Sequence, residues 1–246
     1  MIKVAVFGAQ GQMGQRIVEA VKDAEGLELI AAIDAADERE QAEKADVAID
    51  FTHPDAVMDT IRWCIDHGIH MVVGTTGFNE ERYEQVRSWL NDHPQVNILI
   101  ASNFSIAAVL MMNFAAKAAP FFESVEIVEL HHPRKADAPS GTATQTAQRI
   151  AASRQLSGQG SMPDATTSAL EGARGANVDD VRVHSVRLSG LFAHQEVLLG
   201  NPGEMLTIRD DSYDRSSYMP GIIAAVKAVG QRPGLTIGID EILGVK

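Results

Sequence analysis

Two hydrophobic periods alternate along the first hundred residues. Short apolar runs at residues 2–7, 27–33, 47–51, 69–73 and 96–101 read as strands buried on both faces, since a strand covered on one side would alternate apolar and polar positions. Between them the spacing turns helical. Met13, Ile17, Val18 and Val21 recur every three or four positions, and residues 55–67 and 80–91 form further helices. Regular alternation of strand and helix predicts a parallel sheet with helices on both faces, a doubly wound α/β unit of the Rossmann type.

The pattern changes after residue 105. Residues 106–119, interrupted by Asn113 and Lys117, predict a buried core helix too short to span a bilayer. Apolar runs at 125–130, 181–188, 194–199 and 205–208 follow with few helices between them, which predicts a mixed or largely antiparallel open sheet. Gly200-Asn201-Pro202-Gly203 is a hairpin turn joining the last two. Residues 140–154 read as a helix with Ser140 as N-cap, and residues 157–180, rich in Ser, Gly, Ala and Asp, as a long exposed loop or lid. A helix at 222–229 and a strand at 235–239 restore the α/β pattern. The expected organisation is a dinucleotide-binding domain of residues 1–104 and 216–246. Into it is inserted an α+β domain, residues 105–215, for substrate binding and oligomerisation, with hinges near 102–105 and 213–218. A sheet with helices on one face needs cover on the other, which predicts a homo-oligomer.

The first strand runs into Gly8-Ala9-Gln10-Gly11-Gln12-Met13-Gly14 at the mouth of a helix, the order in which backbone amides cradle a dinucleotide pyrophosphate. The first two glycines are three apart rather than two, so the strand and helix around the turn carry much of the reading. Asp34, at the end of the second strand and twenty positions after Gly14, suits an adenosine ribose with a free 2'-hydroxyl and repels a 2'-phosphate. With Arg39 the only cation nearby, NADH is preferred over NADPH. Gly74-Thr75-Thr76-Gly77, at the carboxyl end of the fourth strand, and Ala101-Ser102-Asn103-Phe104, at that of the fifth, are candidate contacts for the nicotinamide half. Taken singly, Asp34 also reads as a solvated strand end and the Gly74 segment as a plain turn.

The densest chemistry lies in residues 129–143, between a strand and the helix capped by Ser140. A histidine side chain can deliver a proton at physiological pH, and His131 and His132 supply two imidazoles; Lys135 adds an ammonium group, and Pro133 and Pro139 forbid a continuous helix. The backbone N–H groups of Ser140, Gly141 and Thr142 open a helix and form a candidate anion site. A cation, a proton donor and an anion site together point to an acidic small-molecule substrate, although each residue alone is equally an ordinary loop or strand-end residue. Strand alternation would turn His131 and His132 to opposite sides unless the chain bends at Pro133.

Composition removes several classes. A formal net charge of -12 and a pI near 5.0 argue against nucleic acid and an anionic membrane surface. Cys64 is the only cysteine, so no internal disulfide forms. Residues 1–3 lead into an apolar strand without the long apolar core of a secretory leader, so a cytoplasmic location is expected. His131, His132, His184 and His194 come with neither a helical His-Glu pattern nor cysteine ligands, and no metal is expected.

These motifs occur in the order found in dihydrodipicolinate reductases, and the chain resembles that family, in an actinobacterial form, over nearly its whole length. The resemblance implies that a reduced nicotinamide delivers hydride to C4 of a cyclic unsaturated dicarboxylate, yielding tetrahydrodipicolinate, with family members starting from the 4-hydroxy compound and losing water. It implies that His131 donates or accepts a proton and that Lys135 is a second proton donor that also stabilises the substrate. By the same resemblance His132 contacts the substrate, Gly141 and Thr142 bind a carboxylate, pyridine-2,6-dicarboxylate inhibits, and the assembly is a homotetramer. Many members carry arginine or lysine in the glycine turn, where this chain has Gln10 and Gln12, which strengthens the preference for NADH. An aspartate-type amino-acid dehydrogenase and a non-catalytic NAD sensor are the rival readings.

Overall fold

A computed structural model describes residues 1–245. The chain divides into two compact units, residues 1–106 with 215–244 and, inserted between these, residues 107–214.

The first unit is a six-stranded sheet of β1 (Ile2–Phe7), β2 (Leu27–Ile33), β3 (Val47–Asp50), β4 (His70–Val73), β5 (Asn97–Ile100) and β11 (Gly234–Ile237). All pairs are parallel, in the order β11-β5-β4-β3-β1-β2. β3 and β5 are buried at every position, the signature of a strand with helices on both sides. The covering helices are α1 (Gln12–Asp23), α2 (Val57–Asp66), α3 (Glu80–Asn91) and α6 (Met219–Val229). α1 buries Gly14, Ile17 and Val21, while Met13 and Val18 stay half-buried. α3 starts where Asn79 caps it, its side chain accepting from the Arg82 amide with Glu80 and Glu81 in the first turn. From β1 the chain moves outward to β2 and then back past β1 to β3. The order therefore reverses between β1 and β3, and the carboxyl ends of these two strands are where an open sheet of this kind binds ligands.

The second unit is a five-stranded sheet ordered β10-β9-β6-β8-β7: β6 (Ser124–His131), β7 (Ala176–Val178), β8 (Val181–Arg187), β9 (Ala193–Asn201) and β10 (Glu204–Ser212). β6 and β8 run parallel and the other pairs antiparallel, so the sheet is mixed. α4 (Ile106–Ala118) and α5 (Gly141–Leu156) cover one face. Gln195 of β9 identifies that face, since its side-chain amide reaches Thr146 Oγ1 of α5 at 2.7 Å and Met111 Sδ of α4 at 3.5 Å. The covered face is apolar at one end and polar at the other. Val125, Ile127, Val197, Leu199, Val181 and Val183 fill the apolar end, all buried. Along the same strands the register then aligns Asp210, Gln195, Glu129 and Ser185 in one row and Ser212, Ala193, His131 and Arg187 in the next.

Two sequence expectations change here. β10 extends to Ser212, four residues beyond the apolar run at 205–208, because Arg209, Asp210, Asp211 and Ser212 pair by backbone with residues 193–196, Asp210 and Ser212 taking their places in the polar rows. β7 is a strand inside the expected loop, too short to show a period. The rest of that segment is exposed but fastened, because Arg174 bonds both Asp164 and Glu126. The expected hairpin forms, with Asn201 opposite Glu204 around Pro202 and Gly203.

Candidate functional site

The polar end of the second sheet is assembled around Glu129. Its side chain is fully buried, and a carboxylate there must be paired to be tolerated. Glu129 Oε2 meets His131 Nδ1 at 2.5 Å, two residues along the strand and therefore on the same face. Arg187, from the parallel neighbour β8, donates from both terminal nitrogens, 2.8 Å to Oε2 and 2.8 Å to Oε1. The Ser140 amide donates to Oε1 at 3.2 Å. Burial pushes the Glu129 carboxyl up, but hydrogen bonds from His131, Arg187 and Ser185 outweigh it and hold it at about 2. An ionised Glu129 requires the proton of the neutral imidazole on Nδ1, which leaves the lone pair of His131 on Nε2.

β6 ends at His131. A tight turn follows, closed by the Lys135 amide donating to the His132 carbonyl at 3.2 Å, and this bend at Pro133 folds Lys135 back. Lys135 Nζ bonds Asp137 Oδ1 at 2.6 Å, while Asp137 Oδ2 accepts from the Gly141 amide at 3.2 Å. The Asp137 carbonyl accepts from Arg187 Nη2 at 2.7 Å, so the guanidinium that chelates Glu129 also anchors the loop. Ser140 caps α5 as its sequence implies, its hydroxyl oxygen accepting from the Ala143 amide at 3.1 Å. The expected anion site is changed in detail. The Ser140 amide serves Glu129 and the Gly141 amide serves Asp137, so two of the three amides assigned to a ligand hold carboxylates of the protein.

The other histidines are spread over different carboxylates. His184 Nε2 meets Glu126 Oε2 at 2.7 Å and His194 Nδ1 meets Asp211 Oδ1 at 2.7 Å, while His132 stands 6.5 Å from the Phe192 ring between centroids. Among the described residues no group of three His, Cys, Asp or Glu side chains is arranged to hold a metal ion.

In the first unit the candidate cradle is backbone. Gly8 has a φ of 80°, and a Cβ on it would stand 2.8 Å from the Phe51 carbonyl oxygen. A Cβ on Gly14 would stand 1.9 Å from the Gly8 carbonyl oxygen, so the start of α1 lies flat against the turn. α1 begins after Gly11, which has no side chain to cap it, and its first amides are open to an anion. Asp34 at the end of β2 reaches this turn, Oδ2 accepting from the Gln10 amide at 2.8 Å. Thr75 is buried, and its hydroxyl donates to Asp50 Oδ1 at 2.6 Å, while Thr52 donates to the same oxygen through its amide at 3.1 Å and its hydroxyl at 2.9 Å. Gly74, Thr76 and Ser102 to Phe104 lie just past the carboxyl ends of β4 and β5. A glycine cradle, a helix start without a capping side chain and a carboxylate beside the turn fit a dinucleotide.

Family models for dihydrodipicolinate reductase match both parts of the chain, the N-terminal model over residues 2–104 and the C-terminal model over residues 107–243. The chain belongs to the dihydrodipicolinate reductase family. Curated relatives named 4-hydroxy-tetrahydrodipicolinate reductase include those of Cutibacterium acnes, 61% identical, and Thermobifida fusca, 60% identical, each matched over 100% of both chains. Among solved structures, the dipicolinate-bound dihydrodipicolinate reductase of Paenisporosarcina sp. TG-14 aligns with a TM-score of 0.89 at 38% identity, over 98% of this chain and 99% of that one. The protein is therefore an oxidoreductase with a nucleotide-binding Rossmann unit. Within this reductase fold, Glu129, Asp137, Arg187 and Asp50 are the residues that sequence reasoning passed over. Arg187 lies 58 positions from Glu129 and Thr75 lies 25 from Asp50, separations that only strand pairing closes. For Glu129 a signal was present: a carboxylate two positions before a histidine in a strand shares its face.

Proposed function

We propose that this chain reduces 4-hydroxy-tetrahydrodipicolinate to tetrahydrodipicolinate with NAD(P)H, releasing water, in the diaminopimelate route to lysine. The observation that carries the reading is the His131–Glu129 pair beside Lys135 and the start of α5, an acid–base group next to donors for a diacid. When bound, the reduced nicotinamide supplies the hydride. Loss of water from the 4-hydroxy compound first gives the conjugated ring; a hydride accepted at C4 then leaves an electron pair for a proton to quench. His131, entering as the imidazolium that Glu129 stabilises, delivers that proton from Nε2 and is left as the neutral ring. Lys135 and the Gly141 and Thr142 amides bind a substrate carboxylate, Lys135 serves as second proton donor, and His132 contacts the ring. Arg187 keeps Glu129 ionised and in place.

Gly8, Ala9, Gln10, Gly11, Gln12 and Met13 hold the pyrophosphate, with Gly74 to Thr76 and Ala101 to Phe104 toward the nicotinamide. Asp34 beside the turn, with Gln10 and Gln12 in place of cations, favours NADH over NADPH. The enzyme works in the cytoplasm as a homotetramer joined through the uncovered faces of the second-unit sheets, where Val128, Leu130, Val186 and Leu198 are only half-buried. NADH oxidation with enzymatically generated substrate tests the activity. Turnover inhibited by pyridine-2,6-dicarboxylate is expected; turnover instead of aspartate or another amino acid with NAD would replace this reading.

A further inference from the structure

Lys135 Nζ and the Gly141 amide belong to different parts of the site, one on a loop and one on a helix, yet the two oxygens of a single carboxylate join them. Asp137 Oδ1 takes the ammonium at 2.6 Å and Oδ2 takes the amide at 3.2 Å. Two donors bridged by one carboxylate are spaced for any carboxylate, so the occupied seat is a receptor as well as a contact. Asp137 is poorly committed to it. Its side chain is about half exposed, and two of its atoms reach the seat while its carbonyl is held separately by Arg187. The side chain can swing into water while the loop stays anchored, which a buried group such as Glu129 cannot do.

We infer that Asp137 is a displaceable stand-in for a substrate carboxylate: it keeps Lys135 and the start of α5 at carboxylate spacing in the free enzyme and is expelled when the dicarboxylate binds. The inference rests on the reading that Lys135 and Gly141 bind substrate. Two consequences follow from one contact. The ammonium and amide are preorganised, which saves the cost of ordering a flexible lysine at the moment of binding. Against that, each ligand must replace a bond the protein already has, so intrinsic affinity is discounted by the strength of the Asp137 contact. In the free enzyme the Lys135 hydrogen bond holds the Asp137 carboxyl below the usual aspartate range. Once expelled, Asp137 loses that partner and its titration returns toward the ordinary value.

The test uses the full enzyme saturated with NADH and pyridine-2,6-dicarboxylate as the probe. Calorimetry on Asp137→Ala is expected to show the probe binding tighter, on the order of threefold to tenfold as suits a half-exposed ion pair, with NADH affinity unchanged. Carboxyl-carbon NMR of Asp137 in the native chain is expected to show its pKa rising on addition of the probe. Unchanged or weaker binding in Asp137→Ala, or an Asp137 titration that stays low in the complex, overturns the stand-in. Lys135→Ala separates the two levels: if it leaves probe affinity unaltered, the carboxylate-binding reading itself falls. If it weakens the probe while Asp137→Ala fails to tighten it, only the stand-in falls.

Discussion

The two candidate sites use opposite materials. In the first unit the cradle is main chain, with glycines at close approach and a helix start, and few ionisable side chains take part. In the second, Glu129, His131, Arg187, Lys135 and Asp137 form a continuous hydrogen-bonded network at the polar end of a sheet. A site made of backbone is inseparable from the fold that makes it, whereas a site made of side chains can lose its chemistry and keep its shape.

That contrast can be broken experimentally. His131→Gln is expected to lower kcat by on the order of a hundredfold to ten-thousandfold while melting temperature and NADH affinity hold, measured by steady-state kinetics and calorimetry. A comparable loss of NADH binding would end the separation. Gly14→Ala should do the reverse of separate. Its methyl group collides with the Gly8 carbonyl, so stability falls by about 3 kcal/mol or more and cofactor affinity falls with it, read from denaturant curves and NADH fluorescence.

The next effect concerns pH. Glu129 is held at about 2 against an ordinary value of 4.5, so its contribution to stability is present above pH 4.5 and is lost as pH falls toward 2. The shift corresponds to about 3 kcal/mol. Glu129→Gln should flatten that part of the stability curve and cut kcat through loss of the imidazole partner, and a native acid limb in the variant would show that the pair is not the cause. Smallest is Asp34→Ala, for which a rise of about tenfold in KM for NADH, with less change for NADPH, is expected from loss of the ribose hydrogen bonds. Equal effects on both cofactors would detach Asp34 from cofactor choice.

Legibility in the sequence follows the same division. Strands β1 and β2 and helix α3 start and stop where apolar period and capping residues place them, β1 because burial on both sides writes itself into consecutive positions and the partly exposed edge strand β2 because it is still apolar through most of its length. Ser140 announced α5 by cap chemistry alone. The polar half of β10 and the three-residue β7 left no such trace, since both pair by backbone, the first without apolar side chains and the second too short to show a period. In the site, His131, Lys135 and the Pro133 bend were readable as residue types. Arg187, which reaches Glu129 from the neighbouring strand, was not, because a salt bridge between strands depends on register, and register depends on the whole sheet.

The edge strand β11 has a consequence for biogenesis. It pairs with β5, and Gly234 bonds the Asn97 side chain across 137 positions of chain. While the ribosome is still making the tail, the inserted unit already possesses all five of its strands in one unbroken stretch, whereas the parallel sheet lacks both its outermost strand and α6. Synthesis in chain order therefore completes the mixed sheet before the parallel one, whose edge strand β11 and helix α6 follow the inserted unit.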